Sequence, residues 1–304
     1  MYNDFFGFSE LPFTLTPNTR FFLQLPTHQE AQGLIRVALQ NGDGFIKVVG
    51  EVGTGKTLIC RTLLNELDAE DYVTAYIPNP YLKPEEFRRS FALELGLAAD
   101  PSVQDYELIQ TINQKLIALA KEQRRVVLIV DEAQAMPEET IEALRLLTNL
   151  ETESAKLFQV VLFGQPELDT LLARPSLRQL QQRITFSYKL RQLSTDEVRH
   201  YIEQRMVRAG FEGLSMFDAG AVRCVAAASK GVPRLVNILC HKALMVAFGK
   251  GEKRVRKSYV VKAVADTEPL QLPLLTRFAL PLALAGLSLC GSLAVLFAIS
   301  GGAL

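Results

Sequence analysis

One stretch of the sequence decides the fold: Gly50-Glu51-Val52-Gly53-Thr54-Gly55-Lys56-Thr57. It follows the apolar run 45–49 and precedes residues 58–67, a segment compatible with a helix. Glycines let the backbone fold around an anion, so that successive N–H groups point at a phosphate, and the N-terminus of the next helix adds partial positive charge. The stretch therefore predicts a phosphate-binding loop between a strand and a helix. A glycine-rich turn before a helix is the alternative.

The same pattern predicts which side chains hold a nucleotide. The ammonium group of Lys56 would reach the β- and γ-phosphates, and the hydroxyl group of Thr57 would hold Mg²⁺. The expected nucleotide-binding residues are Gly50, Glu51, Val52, Gly53, Thr54, Gly55, Lys56, Thr57 and Leu58.

A second motif lies downstream, where the all-apolar run 126–130 ends in Asp131 and Glu132. The run is too short for a membrane span and rich in β-branched residues, which predicts a strand buried on both faces. At the carboxyl end of that strand, Asp131 would bind Mg²⁺ through water, and Glu132 could polarise the water that attacks the γ-phosphate. Two solvated loop acids after a strand are the alternative, which the phosphate loop upstream disfavours.

Length and composition narrow the class of protein. The 304 residues leave room for about two domains. The 33 basic and 33 acidic residues cancel, so no overall charge attracts nucleic acid, although a local patch could. The four cysteines include no C-x-x-C pair, and the three histidines are scattered along the chain. The sequence therefore indicates neither a disulfide framework nor a zinc site. With no signal peptide at the N-terminus, the soluble part is expected in a reducing cytosol.

Apolar runs alternate with amphipathic segments up to about residue 190, which indicates an α/β fold with a parallel sheet covered on both faces. The expected strands lie near residues 45–49, 73–77, 126–130, 157–163 and 184–190, and the expected helices near 84–96, 105–122, 138–150 and 166–173. One strand thus separates the phosphate loop from the acidic pair along the chain.

The strands stop after about residue 190, and capping residues such as Ser194 and Asp218 introduce helical segments. These segments predict a small all-helical domain with helices at residues 195–209, 218–229, 233–249 and 258–266. The expected boundaries are residues 1–190 for the α/β core and 191–266 for the helical domain, followed by a proline-containing linker at 267–276.

The C-terminal part, residues 278–304, carries no charged side chain. Because a bilayer needs roughly 20 apolar residues in a helix, residues 277–299 predict a transmembrane helix, with a short tail at 300–304. A buried C-terminal helix of the globular part is the alternative, but such a helix usually has a polar face. Basic residues on the N-terminal side of the span place the bulk of the chain in the cytoplasm.

Several blocks resemble a known family. Four blocks together resemble the AAA+ ATPases: the phosphate loop, Asp131-Glu132, the strand ending in Phe163-Gly164-Gln165, and the segment Gly231-Val232-Pro233-Arg234. Further blocks are similar to the general secretion pathway protein A (ExeA) family: residues 1–8, 11–18, 28–31, 131–134, 164–168 and 177–184. The resemblance covers about residues 1–268. No peptidoglycan-binding region follows the apolar segment, a layout similar to that of the members linked to biogenesis of the mannose-sensitive haemagglutinin (MSHA) pilus.

The resemblance implies further site residues. Gln165 would sense the γ-phosphate, with an ordinary loop glutamine as the alternative. Arg234 would reach the nucleotide from the helical lid, unless it is a plain surface arginine at a helix start. Arg183, or else Arg178, would be an arginine finger that reaches the γ-phosphate of a neighbouring subunit. A structural salt bridge to the sheet is the alternative for both arginines.

The resemblance also implies a function. We expect an ATPase that uses ATP and Mg²⁺, assembles as a homo-oligomer and is anchored in the bacterial inner membrane by one C-terminal helix. Its partners would be proteins of a type II secretion or type IV pilus machine. The alternatives are a DNA-handling ATPase of the transposition-helper type, which the neutral charge and the span disfavour, and a nucleotide-binding scaffold without turnover.

Overall fold

The computed structural model describes residues 2–15, 23, 25–98, 100, 102–150, 156–213 and 215–267. These residues form two compact units, with breaks after Leu15 and after Gln192. One unit is an α/β core, and the other is helical and includes the N-terminal segment up to Leu15. The second break lies close to the predicted boundary at residue 190. The N-terminal segment, by contrast, was predicted with the core and packs in the helical unit.

The core contains a parallel five-stranded sheet, as predicted. Its strands are β1 (Phe45–Val49), β2 (Tyr72–Ile77), β3 (Arg125–Val130), β4 (Phe158–Gly164) and β5 (Ile184–Lys189). Their order across the sheet is β2-β3-β4-β1-β5. The strand that separates β1 from β3 in space is therefore β4, while β2, which separates them along the chain, is an edge strand.

Helices cover both faces of this sheet. In chain order, the short α1 (Tyr2–Phe6) of the helical unit is followed in the core by α2 (Pro26–Asn41), α3 (Lys56–Glu66), α4 (Pro84–Glu94), α5 (Asp105–Lys121), α6 (Glu138–Leu147), α7 (Glu167–Leu172) and α8 (Arg178–Arg183). Successive strand residues point to opposite faces. Leu128 of β3 accordingly packs in the same cluster as Phe91 of α4, and Ile129 packs in the cluster that contains Ile35 of α2 and Ile59 of α3. Burial on both faces explains why β3 reads as an uninterrupted apolar run.

The strand order brings three loops to one edge of the sheet. Parallel strands all end at the same side, and β4 lies directly between β1 and β3. The Gly50 N–H, just after β1, donates to the carbonyl oxygen of Gly164 at 3.1 Å, and the Asp131 N–H, just after β3, donates to that of Ile77 at 3.0 Å. The loops that follow β1, β3 and β4 therefore share the carboxyl edge, where ligands bind in open α/β sheets.

The helical unit contains α9 (Thr195–Arg208), α10 (Ala219–Ser229), α11 (Pro233–Gly249) and α12 (Lys257–Ala265), close to the predicted segments. Ser194 and Glu197 form a capping box at the start of α9, and the Asp218 side chain accepts the N–H of Ala221 at the start of α10. Both helix starts follow from the capping residues in the sequence.

Two contacts fix the N-terminal segment within the helical unit. The hydroxyl group of Tyr2 hydrogen-bonds Nδ1 of His241 at 2.8 Å, and Nε of the buried Arg205 donates to the carbonyl oxygen of Pro12 at 2.7 Å. Phe8 and Phe13 are buried in the same unit, where they pack against Phe211 and Phe217. These aromatic residues therefore serve as packing residues.

The predicted transmembrane helix at 277–299 and the tail at 300–304 lie outside the described residues, as does the linker at 267–276 apart from Thr267. Within the ranges that are described, no helix combines the length and the apolar character needed to cross a bilayer.

Candidate nucleotide-binding site

The phosphate loop has the backbone that the sequence predicts. Gly53 and Gly55 adopt φ values of 83° and 100°, in the region that favours glycine, and α3 begins immediately afterwards at Lys56. The hydroxyl group of Thr54 donates to the carbonyl oxygen of Glu51 at 2.7 Å, which ties the loop across its own turn. Val52 is exposed at the tip of the loop. The first turn of α3 is thus placed to offer free backbone N–H groups to an anion.

Lys56 lies inside this loop with only 5% of its surface exposed. Its Nζ donates to the carbonyl oxygens of Gly50 at 2.7 Å and of Glu51 at 3.2 Å. Burial lowers the pKa of Lys56, while the nearby carboxylates of Glu132 and Asp131 act in the opposite direction. A buried ammonium group held at the phosphate loop is a strong partner for phosphate oxygens.

Thr57 and Asp131 meet although 74 positions separate them in sequence, since the Thr57 Oγ1 donates to Oδ2 of Asp131 at 2.8 Å. Asp131 is only 3% exposed, and its burial raises its pKa against the opposing hydrogen bonds from Thr57 and from the N–H of Glu132. A hydroxyl and a carboxylate oxygen beside a phosphate loop are hard oxygen ligands of the kind that Mg²⁺ prefers.

The donor set fits Mg²⁺, a hard cation that takes oxygen ligands. The described part of the chain has no cluster of three or more His, Cys, Asp or Glu side chains that could hold a metal ion by itself. Mg²⁺ needs no such cluster, because it usually takes one or two protein oxygens together with substrate phosphates and waters. Thr57 and Asp131 therefore suffice as the protein's share of such a site.

Glu132 is held in place by two amide side chains. Its backbone is left-handed, with φ 52° and ψ 38°. Nε2 of Gln165 and Nε2 of Gln134 both donate to the same carboxylate oxygen, Oε2, at 3.0 and 2.5 Å. Burial acts to raise the pKa of Glu132, but the hydrogen bonds from Gln165 and Gln134 and the charge of Lys56 outweigh it, so the pKa is lowered. The side chain is therefore a carboxylate at neutral pH, with Oε1 available to a water.

Gln134 is a site residue that the sequence analysis did not single out. Its Oε1 accepts the backbone N–H of Gln165 at 2.9 Å, while its Nε2 donates to Glu132. One amide thus joins the loop after β3 to the loop after β4. The only signal in the sequence is its position in the block Asp131-Glu132-Ala133-Gln134, which does not reveal the contact with Gln165.

The three predicted arginines have different surroundings. The guanidinium group of Arg183, at the end of α8, donates to Oγ1 of Thr148 at 3.1 Å and to Oδ1 of Asn149 at 2.6 Å. Among the described residues it therefore binds the C-terminal end of α6 by hydrogen bonds. Arg178 is exposed at the start of α8, and Arg234 is exposed in the first turn of α11, in the helical unit.

This fold and this site define the class of protein. A family model described as an AAA domain matches residues 39–172, which include the phosphate loop, the acidic pair and β4. General secretion pathway protein A of Aeromonas hydrophila is 39% identical over 285 residues, which are 92% of this chain and 52% of the relative. The chain belongs to the AAA+ ATPases of the general secretion pathway protein A (ExeA) family. It spans about half the length of that curated relative.

Solved structures show the same fold at low sequence identity. The Aeropyrum pernix ORC2 protein, solved in ADPNP–ADP complexes, has a TM-score of 0.59 at 16% identity, and the alignment covers 87% of this chain and 75% of that one. Cdc6p from Pyrobaculum aerophilum has a TM-score of 0.61 at 17% identity, with coverage of 87% and 70%. These matches show the AAA+ fold.

Proposed function

We propose that this chain binds ATP with Mg²⁺ at the phosphate loop, hydrolyses it, and uses hydrolysis to drive or regulate assembly of a type II secretion or type IV (MSHA-like) pilus machine. The hydrogen bond between Thr57 and Asp131 supports this proposal most, because it joins the two predicted motifs at one point. If Asp131 and Glu132 were merely solvated loop acids, the Asp131 carboxylate would not be buried against the hydroxyl group of Thr57.

In the proposed chemistry each residue has one task. Lys56 neutralises negative charge on the β- and γ-phosphates, and Thr57 and Asp131 would hold Mg²⁺, which would polarise the phosphates. Oε1 of Glu132 accepts a proton from the attacking water, while Gln165 keeps that carboxylate beside the γ-phosphate. The lowered pKa of Glu132 keeps this base ionised at neutral pH.

The proposed assembly is a homo-oligomer in which a neighbouring subunit supplies an arginine to the γ-phosphate. The hydrogen bonds of Arg183 to Thr148 and Asn149 favour a structural role within its own subunit, and the exposure of Arg178 supports that residue as the second candidate. Arg234 would contact the nucleotide from the helical unit.

The proposed location is the bacterial inner membrane, with the bulk of the chain in the cytoplasm. The uncharged segment 278–304 supports it, and so does the likeness to a protein named for general secretion. A nucleic-acid partner is disfavoured by the balance of 33 basic and 33 acidic residues.

Substitution of Thr57 tests the proposed catalytic site. Thr57→Val keeps the size of the side chain and removes the hydroxyl group, so Mg²⁺-dependent phosphate release by the purified full chain should fall at least about 10-fold. Thr62→Val is the matched control, because Thr62 lies in the same helix and its hydroxyl group bonds only a helical carbonyl, that of Leu58. Equal loss in both variants would mean that the effect comes from the helix and not from a metal site.

A further inference from the structure

A buried histidine touches the phosphate loop from outside the predicted motifs. Nε2 of His28, in the first turn of α2, lies 2.8 Å from the carbonyl oxygen of Thr54. The ring is 3% exposed and also packs against Gly55, where a Cβ atom would lie 3.0 Å from both Cε1 and Nε2 of the imidazole. The loop is therefore fixed by a side chain 26 positions upstream of it.

The contact determines the direction of one peptide group. In a trans peptide unit the C=O and the N–H point in opposite directions. Because the imidazole holds the carbonyl oxygen of Thr54, the N–H of Gly55 in the same peptide unit points away from α2. Backbone N–H groups of a phosphate loop are what hold the anion. Release of the Thr54 carbonyl would let this peptide unit rotate and lose its N–H as a phosphate donor.

Helix α2 gives the imidazole a rigid base. Pro26 begins the helix, and the neighbouring Thr27 is buried and contacts both the hydroxyl group of Tyr188 and the backbone N–H of Arg191, each at 3.3 Å. Further along α2, Ile35 is fully buried against the sheet. The first turn of α2 is thus fixed to β5 and to the core before it meets the phosphate loop.

We propose that His28 is a positioning residue for nucleotide binding, which sets the orientation of the Thr54–Gly55 peptide group so that the loop binds the phosphates of ATP and ADP. The inference rests on the proposed function and adds a residue to it. His28 touches the loop and not the nucleotide, so it acts through the backbone. Burial lowers the pKa of His28 and outweighs the opposing effect of the backbone at Thr54 and Leu23, so the ring is neutral at pH 7.

The first test compares nucleotide affinities. In His28→Leu the Thr54 carbonyl loses its donor, and the dissociation constant for a fluorescent ADP should rise roughly 10-fold or more, while His28→Gln, which offers an amide N–H, should recover part of that loss. His200→Leu is the control, because His200 is exposed in the helical unit. Equal affinities of His28→Leu and the unaltered chain would overturn the proposal.

The Lys56→Ala variant, measured in the same assay, separates this inference from the proposed function. If Lys56→Ala loses affinity and His28→Leu does not, only the role of His28 is wrong. If Lys56→Ala binds normally, the phosphate loop itself is not the nucleotide site.

The second test leaves His28 unaltered and therefore holds even if His28→Leu fails to fold. A neutral imidazole carries one N–H, and donation to the Thr54 carbonyl requires it on Nε2. The chain has only three histidines, so ¹⁵N chemical shifts of the labelled full chain can be assigned by comparison with His200→Leu and a His241 variant. We expect the Nε2–H tautomer of His28, unchanged when ADP binds. The Nδ1–H tautomer would overturn the proposal.

Discussion

Replacement of Glu132 by glutamine separates the chemical step from binding. The side chain keeps its size, and its amide oxygen can still accept the donors of Gln165 and Gln134 that now meet Oε2. The position of Oε1 is then filled by an NH₂ group, which cannot take a proton from water. Loss of a general base typically costs about 10²- to 10⁴-fold in rate, or roughly 3–5.5 kcal/mol. We therefore expect turnover to fall at least about 100-fold with ATP affinity unchanged.

The assay measures phosphate release and the binding of a fluorescent ATP analogue by the purified full chain. Glu139→Gln is the matched control, since Glu139 is exposed on α6, seven positions along the chain. It should behave like the unaltered protein in both assays. Hydrolysis by Glu132→Gln within a few-fold of the unaltered rate would refute the assignment of Glu132 as the base.

Three further outcomes are expected. If Arg183 acts on a neighbouring subunit, Arg183→Ala should bind ATP without hydrolysing it. Mixing Arg183→Ala with Glu132→Gln should then restore ATP hydrolysis. No rescue in assemblies shown to be mixed would mean that Arg183 has only a structural role at the end of α6. Gly231→Ala should lower the free energy of unfolding by roughly 2 kcal/mol or more, because φ is 72° and the new Cβ would lie 2.1 Å from the carbonyl oxygen of Leu193. Gly33→Ala is the control in the same denaturant titration, and it should not destabilise the protein because Gly33 lies in a helix with open space around its Cβ position. Deletion of residues 275–304 should move the chain from the membrane to the soluble fraction with nucleotide binding intact, and carbonate-resistant membrane association of the shortened chain would contradict the proposed anchor.

Most of the core could be predicted from the sequence because its signals are local. A continuous apolar run predicts β3, and the glycine-rich stretch 50–57 predicts a loop between a strand and a helix. Capping residues predict the starts of α9 and α10. Helix α2 also has local signals, Pro26 at its start and Gly42 just after its end, although no helix was predicted there.

The order of the strands could not be obtained in this way. Nothing in the sequence of β4 shows that it inserts between β1 and β3, because register and neighbours depend on packing across the whole sheet. The contacts of Gln134 with Gln165 and of His28 with Thr54 depend on that same arrangement. The N-terminal segment was predicted with the core for a related reason: its partners, Arg205 and His241, lie about 200 positions or more further along the chain.

The most direct measurement of the central claim is the affinity of the full chain for ATP with Lys56 present and removed. Lys56→Ala deletes the buried ammonium group of the phosphate loop, and the loss of a charged hydrogen-bond donor is worth roughly 1.5–3 kcal/mol, or about 10- to 150-fold in affinity. Arg61→Ala is the control, because it removes an exposed cation from the same helix. We predict that Lys56→Ala loses ATP binding by at least about 10-fold, with an unchanged circular dichroism spectrum, while Arg61→Ala binds normally. Equal ATP affinity of Lys56→Ala and the unaltered chain would contradict the assignment of this loop as the nucleotide site.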